Sequence, residues 1–362
     1  MNQIKAIAYY LPQYHPIPEN DEWWGKGFTE WNNVTKAKPL FKGHLQPFLP
    51  SDLGFYDLRI PEVREEQAKI AKEAGIFGFC YWHYWFGNGK QILERPINEV
   101  IDSAQPDFPI CLAWANETWS GRWHGLNNKI LIKQEYFGEK DFEDFFYSCL
   151  PAFKDSRYIK IDGKLLFSIY KPFDNPSIIE FIKLWRKLAR ENNLVDFYFI
   201  GLNSNYTVLS LGFDAYSIGT PTISENLVDN NFVNKAFRRV FKHRLSDLLR
   251  NRRLDGPNIY NYKDIVKIEQ NRELGKKEIP VVLSNWDNTP RSGRRGIVIK
   301  GSTPELFKKL LVNSIQKANV TDDGSKLIFL KSWNEWAEGN TIEPSMEFGR
   351  QYLDSLKSVL TK

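Results

Sequence analysis

Two glutamates three residues apart, Glu335 and Glu338, lie in the segment Lys331-Ser332-Trp333-Asn334-Glu335-Trp336-Ala337-Glu338-Gly339-Asn340-Thr341-Ile342-Glu343-Pro344. Two carboxyl groups near one anomeric carbon are what glycosidic bond cleavage needs, one to give a proton to the leaving oxygen and one to act as base or nucleophile. Carboxylates held close together beside low-polarity rings split their proton affinities in that way. The spacing alone is common on solvated surfaces. Its position at the end of an apolar run, between Trp333 and Trp336 and beside Asn334, is what points to chemistry. Glu343, before Pro344, reads as a sugar-binding group or as a loop fastener.

Other polar groups stand at the ends of similar apolar runs: Tyr9, Tyr10, Gln13 and His15; Asn116 and Glu117; Asp287, Asn288 and Arg291. Glu30 and His44 read equally as binding groups or loop staples. His83 and His124 have no third ligand at metal-binding spacing, so hydrogen bonding or sugar contact is expected of them, with no metal and no cofactor. The 12 Trp fit the same pattern. Eleven fall at or just after run ends, among them Trp31, Trp82, Trp85, Trp114, Trp119, Trp286, Trp333 and Trp336; Trp185 lies in a helical stretch. Pyranose C–H faces pack on aromatic planes while acids, amides and Arg bind hydroxyls, so an oligo- or polysaccharide substrate is expected and nucleic acid is not.

Something must bring these run ends to one face. The runs are Lys5–Tyr10, Gly75–Trp82, Phe108–Trp114, Lys164–Tyr170, Phe197–Leu202, Phe213–Ile218, Pro280–Trp286 and Lys326–Trp333. Near-continuous apolar runs suit parallel strands buried on both faces. Helical stretches separate most of them: Pro61–Ala74, Lys140–Phe153, Pro176–Asn192, Asp264–Arg272, Thr303–Lys317 and Met346–Thr361. Eight strands alternating with helices predict an α/β fold of the (β/α)8 barrel type, a single catalytic domain over 1–362, with active-site loops converging at the C-terminal ends of the strands. A doubly wound open sheet is the alternative, but no Gly-rich phosphate turn follows the first run. Long insertions are read at Gln13–Asp57 and Thr220–Asn258.

The three cysteines, Cys80, Cys111 and Cys149, form no CxxC pair and read as reduced core residues. The N-terminus lacks a basic segment followed by a long apolar one, and no apolar stretch is long enough to span a bilayer, so a cytoplasmic protein is expected. The net charge of +5 is unevenly placed, for Lys235–Arg253 carries eight Lys/Arg against Asp247. That segment predicts an amphipathic basic helix, either a solvated barrel cover or a contact for a lipid-linked diphosphate or membrane surface.

As a set, AYYLPQYHPIPEND, WWGKGFTEW, HLQPFLPSDLGFYDLR, FCYWHYWFGNGKQILERP, LAWANETW, NWDNTPR and SWNEWAEGNTIEP resemble the WbsX-type family of polysaccharide gene clusters, itself similar to the endo-α-mannosidases and endomannanases of glycoside hydrolase family 99. The resemblance implies a (β/α)8 barrel and retaining hydrolysis of an α-mannoside- or α-rhamnoside-type linkage. It implies that Glu335 acts as base on the substrate 2-hydroxyl, which attacks the anomeric carbon, and that Glu338 acts as acid and then base. Direct attack by Glu335 is the conventional alternative. Ala337 stands where the family 99 motif usually shows a His. A glycosyltransferase of O-antigen or capsule assembly is the competing activity, although no DxD motif is present. A catalytically dead glycan-binding barrel is the third reading, and the presence of both glutamates weighs against it.

Overall fold

The computed structural model describes residues 4–121, 130–219 and 256–361. The segments 122–129 and 220–255, with Trp123, His124 and the expected basic helix, lie outside the described residues. All eight expected strands form: β1 Ile4–Tyr10, β2 Gly78–Trp85, β3 Ile110–Trp114, β4 Lys164–Ile169, β5 Phe197–Gly201, β6 Ala215–Tyr216, β7 Val281–Leu283 and β8 Lys326–Lys331. They pair in parallel in the order β6-β5-β4-β3-β2-β1-β8-β7. The ring closes between β6 and β7, where Tyr216 N donates to Lys277 O at 3.2 Å and Ile279 N to Tyr216 O at 2.8 Å. Closure removes the edges an open doubly wound sheet would have.

Strand β2 begins three residues later than the hydrophobic run predicts. Gly75 ends the preceding helix at φ +81°, and Ile76 and Phe77 are spent on the turn into the sheet. Gly78 opens the strand for a packing reason: a Cβ there would come within 2.5 Å of the Pro109 carbonyl oxygen. The run ending at Trp286 also breaks early. β7 stops at Leu283, and Trp286–Asp287 joins Asn258–Asn261 and Ile297–Lys300 in a separate three-stranded sheet.

The main helices are α1 Pro61–Glu73, α2 Arg95–Ser103, α3 Glu139–Lys154, α4 Ile178–Glu191, α5 Tyr262–Asn271, α6 Pro304–Lys317 and α7 Gln351–Leu360. α2 was not foreseen from the sequence, and α7 begins five residues after Met346 because the intervening residues turn. Helix starts follow local chemistry: Pro61 and Pro304 take first-turn positions, and Thr303 Oγ1 accepts from Leu306 N at 3.3 Å.

The core between α3, α4 and the sheet is aromatic, with Phe145, Phe146, Phe167, Phe181, Trp185 and Phe197 at most 0 % exposed. Each such ring contributes about 1.5–3 kcal/mol over an exposed position. Trp185 Nε1 donates to Phe142 O at 3.0 Å, so its polar edge is satisfied too. Cys80 and Cys111 face each other in register on β2 and β3, and all three cysteines are buried and free. Among the described residues no helix is long and apolar enough to cross a membrane.

Candidate active site

Strand alternation decides which candidates can reach the mouth of the barrel. On β2, Trp82 and Tyr84 point inward, whereas His83 and Trp85 point outward and both stack on Phe145 of α3, at ring separations of 5.6 and 5.0 Å. On β1, Tyr9 points inward and stacks on Trp82 at 4.9 Å with 10° between the planes. Tyr10 points outward and donates to Gln67 Oε1 of α1 at 2.7 Å.

Glu335 and Glu338 follow β8 on a tight turn closed by Gly339 at φ +64°. A side chain at Gly339 would also press on the Asp287 backbone nitrogen at 2.9 Å, so the turn packs directly on the loop after β7. Glu335 Oε1 accepts from Trp82 Nε1 at 2.8 Å. Glu338 Oε1 accepts from Arg291 Nη1 at 2.7 Å, and Glu338 Oε2 from Asn340 Nδ2 at 3.3 Å. Arg291 spans two carboxylates, since its Nε donates to Glu30 Oε1 at 2.7 Å.

These surroundings drive the two carboxyls apart. Burial, and then the charge of Glu338, push Glu335 up to about 8. Burial opposes ionisation of Glu338 as well, but Arg291 outweighs it, with help from Glu335, Lys331 and Asn340, and holds Glu338 below the usual carboxylate range. At neutral pH the pair therefore carries one proton, and burial favours it on Glu335. This is the reverse of the order the resemblance implies.

Around the pair stand Tyr9, Tyr84 and Tyr170, all pushed up by burial and by the glutamates nearby, so they remain neutral hydrogen-bonding groups. The Tyr170 ring meets Trp82 edge-on at 5.5 Å. Lys331, at the end of β8, places Nζ 4.5 Å from the centre of the partly exposed Trp286 ring. Tyr84, Tyr170, Lys331 and Asn340 were not singled out from the sequence. Tyr84 is two residues from Trp82, Tyr170 is one past the end of β4, and alternation would have placed Tyr84 beside Trp82.

Most of the remaining candidates are absorbed into holding the loops. Asp287 accepts from His44 Nε2 at 2.7 Å, Gln46 Nε2 at 2.8 Å, Thr289 N at 2.9 Å and Thr289 Oγ1 at 2.6 Å. Leu40 N donates to His44 Nδ1 at 3.0 Å, which fixes the tautomer with the proton on Nε2. His44 and Asp287 thus staple the first long loop to the loop after β7 and offer a sugar no free polar edge. Glu343 accepts from Trp336 Nε1 at 2.6 Å, Gln67 Nε2 at 2.7 Å and Tyr56 OH at 2.9 Å. It is buried behind the turn as a loop fastener, and burial pushes it up to about 7.

Asn334 exchanges two hydrogen bonds with the Leu11 backbone, at 2.7 and 3.0 Å, and Asn116 does the same with Lys171 at 2.8 Å in both directions. Asn288 Oδ1 accepts from Ile297 N at 2.7 Å. Trp31 and Trp336 pack on each other at 5.9 Å, with Trp31 Nε1 donating to Tyr56 O at 2.8 Å. Trp114 donates to Trp85 O at 2.9 Å, and Trp333 is fully buried against Phe79 at 5.2 Å. His15 is buried, within electrostatic reach of Asp57, Arg59 and Arg95. Gln13 lends its backbone carbonyl to Glu30 N at 3.0 Å. Glu117 pairs with Lys171 at 2.6 Å on the rim, and Trp119 sits edge-on to Tyr84 at 5.2 Å and to Trp23 at 6.1 Å. Among the described residues no cluster of His, Cys, Asp or Glu could hold a metal ion.

Residues 6–356 match the model of the family described as Glycosyltransferase WbsX. The "Uncharacterized protein WxcX" of two Xanthomonas campestris pv. campestris strains is 33% identical over 369 residues, covering 98% of this chain and 49% of theirs. The chain thus spans about half the length of the curated relatives it matches. A solved "Glycoside hydrolase-like protein" superposes with a TM-score of 0.61 at 15% identity, covering 99% of this chain and 94% of the other. The GH99 endo-alpha-mannosidase from Bacteroides thetaiotaomicron with bis-tris-propane superposes with a TM-score of 0.55 at 15% identity, covering 99% and 96%. The chain belongs to the WbsX family, and its fold is the barrel of these glycoside hydrolase structures.

Proposed function

We propose that this chain is a carbohydrate-active enzyme, a retaining, endo-acting glycoside hydrolase on α-mannoside- or α-rhamnoside-type linkages of a polysaccharide, working through Glu335 and Glu338. The observation that carries the reading is the buried carboxyl pair at the end of β8, in which Glu335 takes the Trp82 N–H and only Glu338 is paired with Arg291. Such a pair suits a step in which one carboxylate removes the 2-hydroxyl proton while its neighbour protonates the leaving oxygen. The O2–C1 bond forms as the C1–O bond breaks, and the pair ends with the same single proton. Water then opens the 1,2-anhydro sugar with the proton flow reversed.

The order implied by the resemblance, Glu335 as base and Glu338 as acid, requires the resting proton to pass from Glu335 to Glu338 when substrate enters. Mutual contact between the carboxyls gives the path, and Glu30 gives Arg291 a second anion to pair with when Glu338 is protonated. Trp82, backed by Tyr9, and Trp286 supply aromatic surface for sugar rings.

The test is an array of α-mannan, α-rhamnan and bacterial O-antigen oligosaccharides, comparing wild type with Glu335→Gln and Glu338→Gln. Release of reducing ends by wild type, lost in each variant while glycan binding persists, supports the reading, and retained product configuration supports the mechanism. The family's description favours a second reading, a glycosyltransferase of O-antigen or capsule assembly. Movement of labelled sugar from a nucleotide or lipid-linked donor, with no cleavage, would replace the first reading with the second.

A further inference from the structure

Glu30 lies in the first long loop and bonds a different nitrogen of Arg291 from the one that bonds Glu338. It is 1 % exposed and is pinned at its backbone, where its N–H donates to Gln13 O at 3.0 Å. Its Oε1 accepts from Arg291 Nε at 2.7 Å and from Asn33 Nδ2 at 3.3 Å. Arg291 is held from three loops at once: Glu30 after β1, its own loop after β7, and Glu338 after β8. Charges act additively, so a second carboxylate on the same guanidinium offsets part of the attraction that the guanidinium exerts on the first.

On the reading of Glu335 and Glu338 as the catalytic pair, we infer that Glu30 is a positioning residue which, by holding Arg291 Nε, sets how strongly Arg291 acts on the pair and so which carboxyl keeps the shared proton. Tyr14 and Tyr84 also face Glu30, and Tyr9, Tyr84, Tyr170 and Lys331 also face the pair. The tyrosines stay neutral through the working range, and Arg291 is the cation that touches both Glu30 and the pair. The loop after β1 thereby acts on proton placement without touching substrate.

Trp82 supplies a probe that needs no turnover. Its indole N–H donates to Glu335 at 2.8 Å, so its ¹H–¹⁵N resonance, assigned by its loss in Trp82→Phe, follows the charge of Glu335. The wild-type titration midpoint is expected near the value of about 8 that burial imposes. Glu30→Gln can still accept from Arg291 but has no charge; it should lower the midpoint by about 0.5–1 pH unit. Glu30→Asp, which keeps the charge but draws it back, should fall between the two, and it carries the test alone if the Gln variant does not fold. Arg291→Gln should move the midpoint upward. A midpoint unmoved in the Glu30 variants, or moved upward, overturns the inference. A downward shift in a protein that cuts no glycan keeps the Glu30 brace and removes the hydrolase reading, so the two failures are distinguishable.

Discussion

Trp82 Nε1 donates to Glu335 Oε1 at 2.8 Å, joining residues 253 positions apart. The bond is possible because β2 and β8 both flank β1 and alternation turns Trp82 into the barrel mouth. An N–H donor favours the ionised form of its acceptor. Trp82→Phe keeps an aromatic ring against Tyr9 but removes that donor. Its kcat should fall about 10-fold, about 1.4 kcal/mol, and the alkaline limb of the rate profile should move to higher pH. A profile that loses height without moving would show that the ring, not its N–H, is what matters.

The division of labour between the glutamates is open to a leaving-group test. An activated aryl glycoside needs no protonation of its leaving oxygen. If substrate shifts the proton as proposed, Glu338→Gln should keep near-normal formation of the intermediate on the activated substrate while losing about 10²–10⁴-fold on the natural linkage. Glu335→Gln should lose both. If the resting charges instead set the roles, the two variants will exchange behaviour, with Glu335→Gln rescued by the activated leaving group.

The eight strands and the glutamate pair were legible because each depends on local pattern: apolar runs of strand length, and two acids at the end of one of them. Closure of the ring, and with it the convergence of the loops, came from strand order and agreed with the βα alternation. What misled was treating every polar or aromatic residue at a run end as site-facing. Tyr10, His83 and Trp85 sit one residue out of phase with Tyr9, Trp82 and Tyr84, and the two-residue period sends them against α1 and α3. His44, Asp287 and Asn334 are long-range staples. Nothing within their own segments distinguishes a carboxylate or amide that binds sugar from one that meets four protein donors.

Asp287 shows what those staples are worth. It receives four donors from three residues at 2.6–2.9 Å. Burial alone would favour its neutral form, but the donors of His44, Gln46 and Thr289 hold it below the usual carboxylate range. Asp287→Asn leaves one oxygen to accept and turns an NH₂ toward two donors. A loss of about 2–4 kcal/mol in urea unfolding is expected, against about 1–2 kcal/mol for His44→Phe, which removes one donor. Equal losses would mean that the donors do not converge on Asp287 as described.

Stability should also respond to pH through four buried groups whose effects cancel in pairs. Burial lowers His15 and His83 from 6.5 to about 4. Burial raises Glu335 and Glu343 from 4.5 to about 8 and about 7. Between pH 4.5 and 6.5 the unfolded chain binds two histidine protons that the folded chain refuses, which makes stability rise with pH. In the same window the folded chain binds two carboxyl protons that the unfolded chain has lost, which makes stability fall with pH by the same amount. These four groups together should leave stability level across that window, with a decline above pH 6.5 as Glu343 and Glu335 ionise. His83→Leu removes one rising contribution, so its stability should fall with rising pH by about 1.4 kcal/mol per unit between pH 4.5 and 6.5, relative to wild type. Glu343→Gln removes one falling contribution and should tilt the curve the other way by a similar slope, whatever it costs in absolute stability. Urea unfolding of the three proteins at pH 4.5, 5.5 and 6.5 measures both slopes. Parallel curves would show that His83 and Glu343 titrate in the folded protein as they do in the unfolded chain, and that burial does not hold them as the structure implies.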